Sequence, residues 1–242
     1  MGIRVFLYAG IVTLTGQELD LWRALGGLAG RFLFSVLLWP VAGCLVWTLA
    51  LQMAGLPWGD RRLLFFAGGA LSYLALQIFL WRPIFLYVMG HELTHALAAL
   101  LHGGKADDLR VSSRGGAVKV NKSTFLVNLA PYFFPIYTFG VVLLYYVVDP
   151  KFMPAVLFLL GFTLAFHLAL TAYSLREHQS DIAEVGWLFA VPFIVSVNCL
   201  VIAFVVGLCL PESPRFLQYL KESAGTLSGF SQWIASLFSH RA

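Results

Sequence analysis

Residues 84–101 read IFLYVMGHELTHALAALL, Ile84 to Leu101, an apolar run long enough to cross a bilayer that carries His91, Glu92 and His95 at its middle. An ionisable side chain at mid-bilayer costs about 2.5–3.5 kcal/mol on insertion scales, and such residues usually mark a site or a pathway. On a helix, residues four apart share a face. His91 and His95 can therefore ligate one metal ion, while Glu92, next to the first ligand, reaches a water activated by it. With six His and six Glu in 242 residues, a chance match to His-Glu-x-x-His somewhere in the chain is expected about 0.4% of the time. The bland alternative is a pair of helix-interior histidines bonded to neighbouring helices.

Outward from this stretch the composition sets the class. The chain is 60% hydrophobic and 12% charged, with a mean hydropathy of +0.81, so most of its surface must face lipid. Runs of about twenty apolar residues predict spans at Phe32–Leu51, Leu63–Trp81, Ile84–Leu101, Thr124–Val148, Phe152–Leu175 and Ile182–Leu210. The expected fold is an all-α polytopic membrane protein of about six transmembrane helices, with a tight reversal at Arg82-Pro83. Val5–Leu14 is too short to cross and reads as interfacial. No Ala-x-Ala-like site follows it, and Phe6 breaks a myristoylation pattern. Residues 211–242 place Phe216, Leu217, Leu220, Leu227, Phe230, Trp233, Ile234, Leu237 and Phe238 at helical spacing. They are expected to form an amphipathic C-terminal tail on the membrane surface, beside one membrane-embedded domain at residues 1–210.

Cys44, Cys199 and Cys209 fall in apolar spans, so no disulfide framework is implied. The net charge of +4 is modest and its cations are not interleaved with aromatics, which gives nucleic-acid binding no support. Lys and Arg divide evenly between the two sides of this topology. Five of them, Lys105, Arg110, Arg114, Lys119 and Lys122, lie in the loop after the His-Glu helix and favour a cytosolic position for it. In that loop Leu109–Ser112 and Val118–Asn121 alternate apolar with polar residues, and Arg114-Gly115-Gly116 reads as a turn. A short β-hairpin is expected beside the active site, packed against protein, with an edge able to hold an extended peptide.

A catalytic zinc takes three protein ligands and keeps an open position for water. A metzincin third ligand fails, because Ala98 and Leu101 stand where Gly and His are required and His102 is one residue out of register. Asp181 follows the His-Glu helix by two crossings and so returns to the hairpin's side of the membrane. His167 is fourteen residues earlier, about 21 Å along a continuous helix, so the two cannot share one ion. Glu184 lies one turn beyond Asp181, and His178 falls in the preceding turn. Asp181 is the first choice, with His167 and Glu184 open as alternatives, and a carboxylate ligand makes electrostatic sense because it offsets the charge of a divalent ion.

These features together resemble the site-2 protease family of intramembrane zinc metalloproteases, over about Ile84 to Gly186. The resemblance is carried by the His91-Glu92-x-x-His95 helix, the hairpin with Gly115-Gly116-Ala117-Val118, a helix beginning Asn128-Leu129-Ala130-Pro131, and the later aspartate. It implies zinc held by His91, His95 and Asp181, with Glu92 as the catalytic carboxylate. It also implies that Gly115, Gly116, Val118 and Asn128 contact the substrate, a transmembrane protein cleaved within the lipid bilayer. Where members commonly read Leu-Asp-Gly, this chain reads Ser180-Asp181-Ile182. Two other readings are a zinc-binding chaperone or scaffold without proteolysis, and a transporter. The uncharged stretches Thr124–Val148 and Phe152–Leu175 weaken the transporter reading.

Overall fold

The computed structural model describes residues 5–6, 11–12, 27–79, 83–112, 115–121, 124–177, 179–212 and 215–239. Two short strands, β1 (Val5–Phe6) and β2 (Ile11–Val12), pair antiparallel within the segment read as interfacial. Helices α1 (Gly27–Ala54), α2 (Arg61–Phe79) and α3 (Ile84–Leu101) follow. The link at residues 80–82, and with it most of the expected Arg82-Pro83 reversal, lies outside the described residues. The hairpin is β3 (Ala106–Ser112) and β4 (Gly115–Val120). After it come α4 (Phe125–Phe133), α5 (Ile136–Val147), a 3₁₀ turn at Pro150–Phe152 and α6 (Met153–Arg176). The chain closes with α7 (Ser180–Val185), α8 (Trp187–Cys209) and α9 (Arg215–Ser239).

Among the described residues five helices are long and apolar enough to cross a membrane, and six if α4 and α5 count as one bent span. Phe79, Leu101 and Val147 are more than three-quarters exposed, which suits side chains whose solvent is lipid. The protein is an integral membrane protein, and among the described residues its regular elements are helices apart from two small strand pairs.

Two of the expected spans are broken. The run Thr124–Val148 is α4 and α5 meeting at 66°, because Pro135 supplies no amide hydrogen and disfavours helical geometry at Phe134. The run Ile182–Leu210 is the short α7 and then α8, separated by Gly186 at φ +97°, a conformation that an L side chain rarely adopts. Both breaks lie beside the candidate site.

A broken helix in lipid must have its freed backbone groups satisfied. In an unbroken helix the Tyr132 carbonyl would accept from residue 136. Here it accepts from Asn198 Nδ2 at 2.8 Å and from Thr171 Oγ1 at 3.4 Å. Asn198 Oδ1 lies 3.1 Å from His167 Nε2, so the intramembrane histidine of α6 serves the break in α4–α5.

Helices α2 and α6 form the tightest pair. A Cβ on Gly69 would overlap the Phe158 carbonyl, and one on Gly161 would overlap the Phe66 carbonyl, so the two glycines let the backbones touch as small residues do in membrane bundles. Leu63, Leu157, Leu160 and Val205 are buried around this contact. Helix α9 lies on α1, with Tyr219 Oη donating to the Leu45 carbonyl at 2.9 Å and Thr48 and Thr226 hydroxyls 3.0 Å apart.

In the hairpin, Ala106 pairs with Val120, Val111 with Gly116 and Ser112 with Gly115, with an irregularity between Asp107 and Arg110 where Asp108 takes φ 55°. Gly115 and Gly116 are therefore strand residues, not the turn read from the sequence. Residues 113–114, and with them Arg114 of the expected turn, lie outside the described residues. Pairing starts β4 three residues earlier than its alternating pattern suggested, because glycine contributes no side chain to alternate.

Candidate metal centre

Helix α3 presents His91 and His95 one turn apart, with imidazole centroids 4.8 Å apart. Their Nε2 atoms are 3.1 Å apart, and Asp181 Oδ2, from the first turn of α7, lies 3.3 Å from His91 Nε2 and 3.4 Å from His95 Nε2. Three atoms bearing lone pairs thus form a nearly equilateral triangle. Tetrahedral zinc with bonds of about 2.0–2.2 Å sets its ligand atoms about 3.3–3.6 Å apart, close to these edges. The second ring nitrogen of His95 donates to the Val127 carbonyl at 2.8 Å, which puts the proton on Nδ1 and leaves the Nε2 lone pair for a metal. By donor type, spacing and tautomer the residues fit a zinc ion.

Tyr132, fully buried in α4, donates from Oη to Asp181 Oδ2 at 3.0 Å, and its ring meets that of His91 edge-on at 5.3 Å. Burial pushes the Asp181 carboxyl up, but the facing imidazoles of His91 and His95 outweigh it and hold the group below the usual carboxylate range. On the other side of His91, the Tyr87 hydroxyl bonds that of Ser174. The sequence reading missed Tyr132 and Asn198. An aromatic and an amide in apolar helices carry no short motif, and the sole local signal was the Pro131 and Pro135 pair that predicts a kink.

Glu92 is buried and lines a cleft of about 350 Å³ together with His91, His95 and Asp181. The hairpin forms one wall through Gly116, Ala117 and Val118, and Asn128 and Glu184 form part of another. Gly116 lies so close to α3 that a Cβ there would come within 2.6 Å of Val88 Cγ1 and 2.7 Å of Glu92 Cγ. Strand β4 pairs with β3 on one side, and among the described residues no strand pairs with its other edge. Gly116, Val118 and Asn128 thus border the cleft, and Gly115 pairs with Ser112 in the hairpin.

The other two ligand candidates are elsewhere engaged. His167 is held by Asn198, and Glu184 Oε2 accepts from Asn128 Nδ2 at 3.0 Å, tying α7 to α4 across the cleft. Burial, followed by the nearby Asp181 charge, pushes the Glu184 carboxyl up. His178 lies outside the described residues.

The fold and the site define a polytopic membrane protein with a His-His-Asp centre able to hold a metal, a glutamate beside it and a strand edge along its cleft. Comparison with family models gives one match, described as Peptidase M50B-like, over residues 65–212, more than half of the chain. The chain belongs to this peptidase family, in agreement with the resemblance drawn from its motifs. No curated protein and no solved structure matches it.

Proposed function

We propose that this protein is a zinc-dependent intramembrane protease that hydrolyses a peptide bond in or near a transmembrane segment of a membrane-protein substrate. The observation that carries this reading is the triangle of His91 Nε2, His95 Nε2 and Asp181 Oδ2 with edges of 3.1, 3.3 and 3.4 Å, opening on the same cleft as Glu92. His91, His95 and Asp181 would hold the metal, which when bound supplies Lewis-acid polarisation of a carbonyl oxygen and acidifies water.

The chain's own residues account for the remaining steps. Glu92 takes the proton of the attacking water as general base and returns it to the leaving amine as general acid. Tyr132 keeps Asp181 oriented, and the Val127 carbonyl keeps His95 in the ligating tautomer. A substrate helix must unwind locally before its carbonyl can be attacked, and strand pairing with the open edge of β4 offsets part of the lost hydrogen bonding. Gly116 and Val118 lie along that edge, and Asn128 faces it from α4. The basic residues of the hairpin loop favour a cytosolic position for this entrance. Residues 1–210 form the membrane domain, and α9 is an amphipathic tail to it.

The test is metal content and cleavage of a panel of membrane-helix substrates, wild type against Glu92→Gln. Zinc near one per chain in both forms, with cleavage lost in the variant, supports the proposal. Cleavage retained by Glu92→Gln removes Glu92 from its role, and absence of bound metal from the active wild type removes zinc.

A further inference from the structure

His91 turns Nε2 toward His95 and Asp181, and its other ring nitrogen, Nδ1, away from them. That Nδ1 is buried and has no hydrogen-bond partner among the described residues. A second buried orphan is Oγ1 of Thr138, on a residue 1% exposed in the first turn of α5. Both residues line one cavity of about 30 Å³ between α3, α5 and α6, in the space opened by the break at Phe134 and Pro135.

The other hydroxyls in its wall are committed. Thr94 Oγ1 donates to the Gly90 carbonyl at 2.7 Å, Tyr137 Oη to the Leu86 carbonyl at 2.7 Å and Thr163 Oγ1 to the Leu159 carbonyl at 2.8 Å. Of the buried side-chain polar atoms in the wall, His91 Nδ1 and Thr138 Oγ1 are thus the two without a partner among the described residues.

A metal-ligating histidine almost always donates its second ring N–H to a carboxylate, a backbone carbonyl or a water. His95 uses the Val127 carbonyl. For His91 the described residues offer no equivalent. A cavity holds a water when it provides about 10–15 Å³ per molecule and two or more polar partners, while purely apolar cavities stay dry. This one has the volume for about two and two unpaired polar groups in its wall. Of the residues lining this cavity, only His91 also borders the cleft beside Glu92, so its occupant is distinct from the water consumed in hydrolysis.

We infer that this cavity is a structural water site, in which ordered water accepts the Nδ1–H of His91 and bonds to Thr138 Oγ1, thereby fixing His91 with its Nε2 lone pair directed at the metal. Thr138 is on this view a positioning residue, acting on the metal through water and His91. The effect on metal binding rests on the zinc reading above, whereas occupancy of the cavity does not.

The test uses the full chain in detergent with Zn²⁺ as probe. Thr138→Val removes the hydroxyl at nearly constant shape, and Thr138→Ser retains it. By competition with a chromophoric chelator, Thr138→Val should bind Zn²⁺ about tenfold or more weakly and Thr138→Ser nearly as wild type. A density map of the wild type that resolves ordered water should show a peak within hydrogen-bond reach of His91 Nδ1 and Thr138 Oγ1. Unchanged Zn²⁺ affinity in Thr138→Val overturns the coupling, and a map with nothing in the cavity overturns the site. If Thr138→Val does not fold, the wild-type map decides. A wild type that binds no Zn²⁺ strikes the zinc reading, with the map still deciding the water.

Discussion

The hydroxyl of Tyr132 donates to Asp181 Oδ2 at 3.0 Å, joining the bent α4–α5 pair to the carboxylate that lies against His91 and His95. The same residue's carbonyl, freed by the break, is held by Asn198. One residue therefore couples the break in the helix to the geometry of the candidate metal centre, and this coupling sets the first prediction.

Tyr132→Phe removes the donor and keeps the ring against His91. Zn²⁺ affinity should fall about tenfold, within the range usual for outer-shell partners, with little change in thermal stability. Equal Zn²⁺ affinity in the two proteins would show that Asp181 is oriented by other contacts.

Asn198→Leu strips the break of its main support, leaving the Tyr132 carbonyl and His167 Nε2 without the partners they have here. An unsatisfied buried group costs about 1–3 kcal/mol, so the variant should unfold at markedly lower denaturant. Metal affinity should drop as well, through the displaced Tyr132. Unchanged stability would mean that Thr171 or water caps the break.

Gly116→Val places a branched side chain where a single Cβ already comes within 2.7 Å of Glu92 Cγ. The hairpin or Glu92 must move, so cleavage should fall by about 10²-fold, the scale expected for misplacing a catalytic group by an ångström. Metal content should stay near that of wild type, since the triangle of ligands is untouched. The pair of measurements, zinc per chain and cleavage rate, separates a hairpin effect from loss of the metal.

Glu184 provides a pH dependence. Burial and the neighbouring Asp181 raise its pKa above the ordinary 4.5, so the native state disfavours its charged form relative to the unfolded chain. That penalty is fully present above the folded pKa and disappears as pH falls below about 4.5, the unfolded value. Metal-free Glu184→Gln should therefore be slightly more stable than wild type at pH 7, with the difference shrinking on acidification. A difference that grows as pH falls would show that the Asn128 hydrogen bond to the charged carboxylate dominates.

Much of this fold is legible without coordinates. The span read at Ile84–Leu101 coincides with α3, because a long apolar run in lipid has little alternative to a helix. The breaks in the fourth and last spans were harder to read. Hydropathy averages over a window, whereas a single Pro135 or Gly186 redirects the chain. The hairpin turn was misplaced for a related reason: Gly115 and Gly116 favour turns by propensity, but their pairing with Ser112 and Val111 makes them strand. That pairing in turn lets β4 lie against Glu92.

By itself the sequence determined that the chain lives in a membrane and that His91 and His95 share a face beside Glu92. Composition and a four-residue spacing are local properties that survive any arrangement of the helices. Asp181 is the first choice for a third ligand, with His167 and Glu184 as alternatives, but sequence distance alone cannot show it beside the histidines. Tertiary packing supplies that proximity. It brings α7 against α3 so that Asp181 reaches both imidazoles, engages His167 in capping a helix break and turns Glu184 to Asn128. Contacts between residues as far apart as 91 and 181 depend on how the helices close on one another, and that closure is decided by glycine contacts, proline breaks and buried amides spread over the whole chain.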